Sequence, residues 1–115
     1  MMINREELAQ EFIRLVKSYY PKSGQFITHC YVKILECYIE RLGKRFYYIG
    51  VYYPERLTSE VQAQQDVLRD IAENMGLIEV VCINANRIVR DPRSRLKHEN
   101  PRLWLDLYWV ASHKN

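Results

Sequence analysis

A chain of 115 residues that is 48% hydrophobic and 27% charged has the make-up of one ordinary globular domain, which excludes disordered, collagen-like and disulfide-dense classes. No apolar run approaches the roughly 18 residues of a membrane span, and the first seven residues contain two acids and no apolar leader core, so a cytoplasmic protein without membrane association is expected. The formal charge of +3 is too small to name a partner by itself.

At this length folding buries about 65% of the extended chain's surface, enough for one core without metal or disulfide staples. Cys30, Cys37 and Cys82 are an odd set in apolar surroundings, which points to reduced, structural thiols. The spacing from Cys30 to Cys37 lacks the further ligands of a zinc site, and no cofactor or metal is expected.

In chain order, Asn4 followed by Glu7 has the pattern of a capping box, with Ile3 placed to staple onto Leu8. Leu8, Phe12, Leu15, Val16 and Tyr19 then recur on one helical stripe, and Pro21 and Gly24 are read as its end. From Phe26 to Tyr53 β-branched and aromatic residues dominate, and Arg41-Leu42-Gly43-Lys44 reads as the turn of an antiparallel hairpin that sets Glu40 opposite Arg45, Ile39 opposite Phe46 and Tyr38 opposite Tyr47. Ile27, Tyr31, Ile34, Tyr38 and Leu42 also fit helical spacing, so residues 27–42 stay open between strand and helix, with the strand favoured. Ser59 with Gln62 opens a second helix whose buried stripe is Val61, Leu68, Ile71, Ala72 and Met75, ended by Gly76. Leu77–Asn84 reads as a strand with a short return over Arg87–Arg90, and Leu103–Ser112 alternates as a strand with Leu103, Leu105, Leu107 and Trp109 on one face and Trp104, Tyr108 and Val110 on the other.

The order α-β-β-α-β-β predicts a single α+β domain over residues 1–115: a two-layer sandwich in which an antiparallel sheet carries both helices on one face. The opposite face would then meet solvent, a partner or a second copy of the chain.

Two features carry the functional reading. From Arg87 to Arg102 six basic residues stand against Asp91 and Glu99, a local +4 that exceeds the charge of the whole chain. Within it, residues 90–102 carry two prolines and few apolar side chains, the pattern of a long surface loop whose Arg90, Arg93, Arg95, Lys97 and Arg102 can contact a phosphate backbone. The second feature is nine tyrosines, six of them between residues 31 and 53. Of these, Tyr47, Tyr48, Tyr52 and Tyr53 are candidates for stacking bases, although aromatic residues are equally ordinary as sheet packing. Trp104, Tyr108 and Tyr38 are candidates for a partner interface.

Enzymatic constellations are weaker. His29, His98 and His113 have no evident catalytic partner, the acids Asp66, Asp70 and Glu73 read as the solvated face of a helix, and the four glycines form no phosphate loop. The expectation is a binding module rather than an enzyme: a nucleic-acid-binding regulator or accessory factor, such as one serving a mobile element or phage. The alternative is a protein-interaction domain, whether a homodimeric adaptor, a chaperone-like protein or an inhibitor of another macromolecule.

Overall fold

The computed structural model describes residues 4–112. Ile3, and with it the expected staple, lies outside them, as does His113. Helix α1 spans Arg5–Tyr19 and α2 spans Pro21–Ile27; β1 spans Tyr31–Ile39 and β2 Lys44–Tyr53; α3 spans Thr58–Ala63, α4 Gln65–Asn74 and β3 Val80–Asn84; α5 spans Ala85–Arg90, α6 Leu96–Glu99 and α7 Pro101–Ser112.

The start of α1 follows the sequence. The side chain of Asn4 accepts from the Glu7 amide at 2.8 Å and donates to its carboxylate at 3.2 Å, which satisfies one of the amides left bare at a helix N-terminus. The expected stop differs. Pro21 opens α2 at a position where its missing amide and fixed φ cost nothing. Gly24 lies inside α2, where a Cβ would stand 2.9 Å from the backbone of Lys17, so this glycine allows α2 to fold back closely on α1.

The hairpin forms, and residues 31–39 are strand rather than helix, but the register slips by two residues. Ile39 faces Lys44, Tyr38 faces Arg45 and Glu36 faces Tyr47. The cause is the turn: Glu40–Leu42 make a 3-10 turn closed by Gly43 at φ 62, a wider connection than the one expected. A slip of two keeps every side chain on its original face and brings Glu36 to 3.2 Å from Arg45. The second helix is broken in two at Gln64, whose carboxamide oxygen accepts from Ser23 at 2.6 Å. Its stripe is as expected: Val61, Leu68, Ile71 and Ala72 are buried, and Gly76 takes φ 81.

The larger corrections come after residue 77. Strand β3 pairs with β2 in parallel, from Ile49 with Val80 to Tyr53 with Asn84, so the sheet is mixed, in the order β1-β2-β3. A parallel neighbour requires a crossover, and α3 with α4 supplies it. No return strand follows: the Asn84 side chain accepts from the Arg87 amide at 3.2 Å and caps α5. Residues 103–112 are helical. Leu103, Leu107 and Val110 satisfy strand alternation only in part but fall on one helical stripe, Pro101 occupies the first turn, and Asn100 accepts from the Leu103 amide at 3.2 Å. The expected loop over residues 90–102 is correspondingly short: α6 and the first turn of α7 occupy much of it, and Asp91 and Ser94 accept from the amides of Arg93 and Leu96.

With α7 helical, the sheet has helices on both faces and the bare face expected from a two-layer sandwich is partly covered. On the first face Val32, Ile34, Ile49 and Val51 pack with Phe12, Val16, Phe26, Ile27, Leu68 and Ile71. On the second, Tyr52, Ala85, Leu107 and Val110 form a smaller core edged by Tyr31, Ile83, Ile88 and Leu103.

Candidate interaction surface

Helix α7 holds the second core by Leu107 and Val110, and the helical period then turns Leu105, Tyr108 and Trp109 outward. They are 60%, 48% and 58% exposed, far more than apolar side chains of this size need to be on the surface of a folded domain. With Asp106 and Ser112 they surround a shallow cleft of about 530 Å³. Trp104 stacks on Tyr108 at 5.2 Å between ring centroids and 21° between planes. The ammonium of Lys97 lies 5.0 Å over the Trp104 ring, an attraction between a cation and the negative face of the indole. The indole thus contacts both a cation and a phenol beside an open apolar patch.

The remaining cations of the basic stretch lie on α5, the turn after it, and the start of α7, where Arg102 lines the cleft beside β1. Arg90 is occupied: its guanidinium meets Glu55 at 2.6 Å and the carbonyl of Asn86 at 3.2 Å. Arg87, Arg93, Arg95 and Arg102 are exposed and enter no salt bridge among the described residues.

The four stacking candidates on β2 are divided between environments. Tyr52 is 7% exposed, with the Tyr31 ring 6.0 Å away, and burial together with the neighbouring phenols raises its pKa. Tyr53 packs at the edge of the first core. Tyr47, on that same face of the sheet, lies 5.6 Å beneath the Arg5 guanidinium, while Tyr48 is half-buried on the opposite face, across from Leu35. They do not make one platform. Tyr38 is exposed at the hairpin end on the face that carries α1, so it stands apart from Trp104 and Tyr108.

Burial pushes the Cys30 thiol up to about 12 and that of Cys82 to about 11, the opposite of what activates a thiolate nucleophile. Among the described residues no group of three His, Cys, Asp or Glu side chains could hold a metal ion. Asp66 pairs with Arg69 at 3.5 Å and Asp70 accepts from the Tyr20 hydroxyl at 3.2 Å, both on the solvated side of α4. No helix among the described residues is long and apolar enough to cross a membrane.

Sequence patterning put Leu105 and Trp109 on one strand face with Leu103 and Leu107; the helix separates them, turning the first pair outward. Their signal was the recurrence of Leu103, Leu107 and Val110 after Asn100-Pro101, a helix start followed by a stripe that leaves positions 105 and 109 outside. No protein-family model, curated protein or solved structure matches this chain.

Proposed function

We propose that this chain is a protein-interaction domain that docks a partner protein on the outward face of α7. The observation that carries this reading is the side-by-side exposure of Leu105, Tyr108 and Trp109 on a helix whose opposite stripe is fully engaged in the core. Aromatic side chains that sit on a rigid element and are shed of water by a partner are the usual energetic centre of an interface, with charges at the rim. Here Trp104 already contacts both Lys97 and Tyr108, which reduces the side-chain entropy lost on docking.

Benzoylphenylalanine placed at Leu105 in the cell, with the same group at the exposed Glu60 as control, tests the reading. One partner protein is expected to crosslink at position 105 alone, and Trp109→Ala is expected to weaken its binding by roughly 2 kcal/mol, about thirtyfold. Equal labelling at both positions, or binding indifferent to Trp109, would overturn it.

A nucleic-acid reading retains one supporting observation, the four exposed arginines Arg87, Arg93, Arg95 and Arg102 that form no salt bridge among the described residues. It requires an affinity that falls steeply between low and moderate salt and that drops when these arginines, rather than Trp109, are replaced.

A further inference from the structure

The sheet order leaves one side of β1 without a strand. Its pairing with β2 is unbroken over nine residues, from Tyr31 opposite Tyr52 to Ile39 opposite Lys44, and the strand contains neither a bulge nor a proline. In such a ladder every second residue turns its amide and carbonyl away from the partner strand. Among the described residues no other segment hydrogen-bonds to these outward groups. Long edges of this kind accept a further strand unless something blocks them.

This edge is recessed rather than bare. A cleft of about 880 Å³ lies beside its first half, with Tyr31, Val32, Lys33 and Ile34 as the floor, α1 from Asn4 to Arg14 as one wall, and Arg102 and Asp106 of α7 as the other. Two walls decide what can enter. A second copy of the chain would have to bring its own β1 to within about 4.8 Å, and its own α1 and α7 would strike these walls first. A single extended segment has no such flanks and fits between the helices.

Charge narrows the choice. On the α1 wall both cations are taken, Arg5 by Glu36 at 2.6 Å and Arg14 by Glu11, while Glu6 and Glu7 enter no salt bridge among the described residues, so this side disfavours carboxylates. On the other side Lys33 of the floor and Arg102 of the wall enter no salt bridge among the described residues, while Asp106 interacts with the Tyr31 phenol. Side chains of an added strand alternate between the two walls, so those on the α7 side meet Lys33 and Arg102 with one carboxylate, that of Asp106, engaged by the Tyr31 phenol, whereas those on the α1 side meet Glu6 and Glu7.

We propose that the outer edge of β1 binds an extended acidic peptide segment of another protein, which adds as a fourth strand in the cleft between α1 and α7 and directs carboxylates at alternate positions to Lys33 and Arg102. Backbone pairing supplies the affinity and the two cations set register and sequence preference. This cleft shares Asp106 with the patch on α7 but not Leu105, Tyr108 or Trp109, so binding at either can fail without the other.

The probes are three synthetic heptapeptides: one alternating valine with glutamate, one with lysine in place of glutamate, and one glutamate peptide N-methylated on alternate amides. Titrated into the isotope-labelled chain, the glutamate peptide is expected to slow hydrogen exchange at alternate amides of Tyr31–Ile39, whereas the lysine and N-methyl peptides bind at least about tenfold more weakly. The double variant Lys33→Glu, Arg102→Glu, with an unchanged unfolding midpoint, is expected to reverse the preference toward the lysine peptide. The proposal is overturned if β1 amides gain no protection at about 1 mM glutamate peptide, if the peptide perturbs only Arg87, Arg90, Arg93 and Arg95 on α5 and the turn after it, or if the double variant leaves the preference as it was. It is also overturned if β1 is already protected in a self-associated form seen by light scattering.

Discussion

On one face of the sheet Val32, Ile34, Ile49 and Val51 meet Phe12, Val16, Leu68 and Ile71; on the other Tyr31, Tyr52 and Ile83 meet little more than Leu107, Val110 and Ala85. The first face is sealed by α1, α2 and α4 with aliphatic side chains. The second is held by α5 and α7 at one end, and toward the hairpin Leu35, Phe46 and Tyr48 are only half-buried while Cys37 is exposed. A thin core under an outward aromatic helix is a place where stability is low and recognition is easy to build. Both surfaces with a binding role proposed above involve α7, which clamps the second face.

Thiol chemistry separates the two faces most widely. Cys30 and Cys82 pack against the first core, and burial raises both thiols; Cys37 is exposed on the second face. At pH 8.5 iodoacetamide is expected to label Cys37 first and Cys30 roughly a thousandfold more slowly than an ordinary thiol, the difference vanishing in denaturant. The linkage follows from the same shift. An unfolded thiol ionises near 9.0 but folded Cys30 only at about 12, so its contribution to stability is complete below the lower value and is lost as pH rises between the two. Equal labelling of all three thiols in the native state would mean the first face is not sealed.

Substitutions in the cores are next in size. Phe12→Ala removes a fully buried ring at the centre of the first core and is expected to cost about 4 kcal/mol in urea unfolding. Leu107→Ala should cost about 3 kcal/mol, and part of it should appear as faster hydrogen exchange confined to α5 and α7 while the first core stays protected. Simultaneous loss of protection on both faces would show that the two cores open as one unit. The glycines give a finer contrast. A Cβ at Gly24 meets Lys17 backbone at 2.9 Å, whereas at Gly50 it meets the Leu35 methyl tip at 2.8 Å. Backbone cannot yield and a leucine tip can, so Gly24→Ala should cost about 2 kcal/mol and Gly50→Ala about 1 kcal/mol or less.

The first face was legible in the sequence, and the second was not. The Asn4 cap, the Phe12 and Val16 stripe, the hairpin and the Leu68, Ile71, Ala72 stripe each rest on local patterning or turn chemistry, and each is present. The strand or helix choice at residues 103–112 turned on a segment in which Leu, Trp and Tyr occupy both parities, so alternation and helical period were both available. Asn100-Pro101 held the deciding information and was read as loop. Strand alternation there leaves out the helix that covers Tyr52 and groups Leu105 and Trp109 with the buried Leu107. The parallel placement of β3 depends on a tertiary choice, the direction in which the crossover returns, that no local pattern in Leu77–Asn84 encodes. Candidate cations were visible as composition, but which of them are committed, Arg90 to Glu55 and Lys97 to Trp104, is set by contacts distant in sequence or by the helical course of α7.

The smallest expected effect on folding is the most informative about function. Trp109 is 58% exposed on the outward side of α7, and truncating a side chain left mostly in water gives up far less burial than truncating one in a core. Trp109→Ala should therefore leave the unfolding midpoint nearly in place, in contrast to Leu107→Ala two residues earlier on the same helix. If Trp109→Ala instead destabilises by about 2 kcal/mol, the indole is part of the second core's packing, and the outward face of α7 is a structural cover rather than a docking surface. A stable Trp109→Ala protein that has lost its crosslinked partner separates the two roles: the inward stripe of α7 holds the sheet, and the outward one is kept apolar for a second protein.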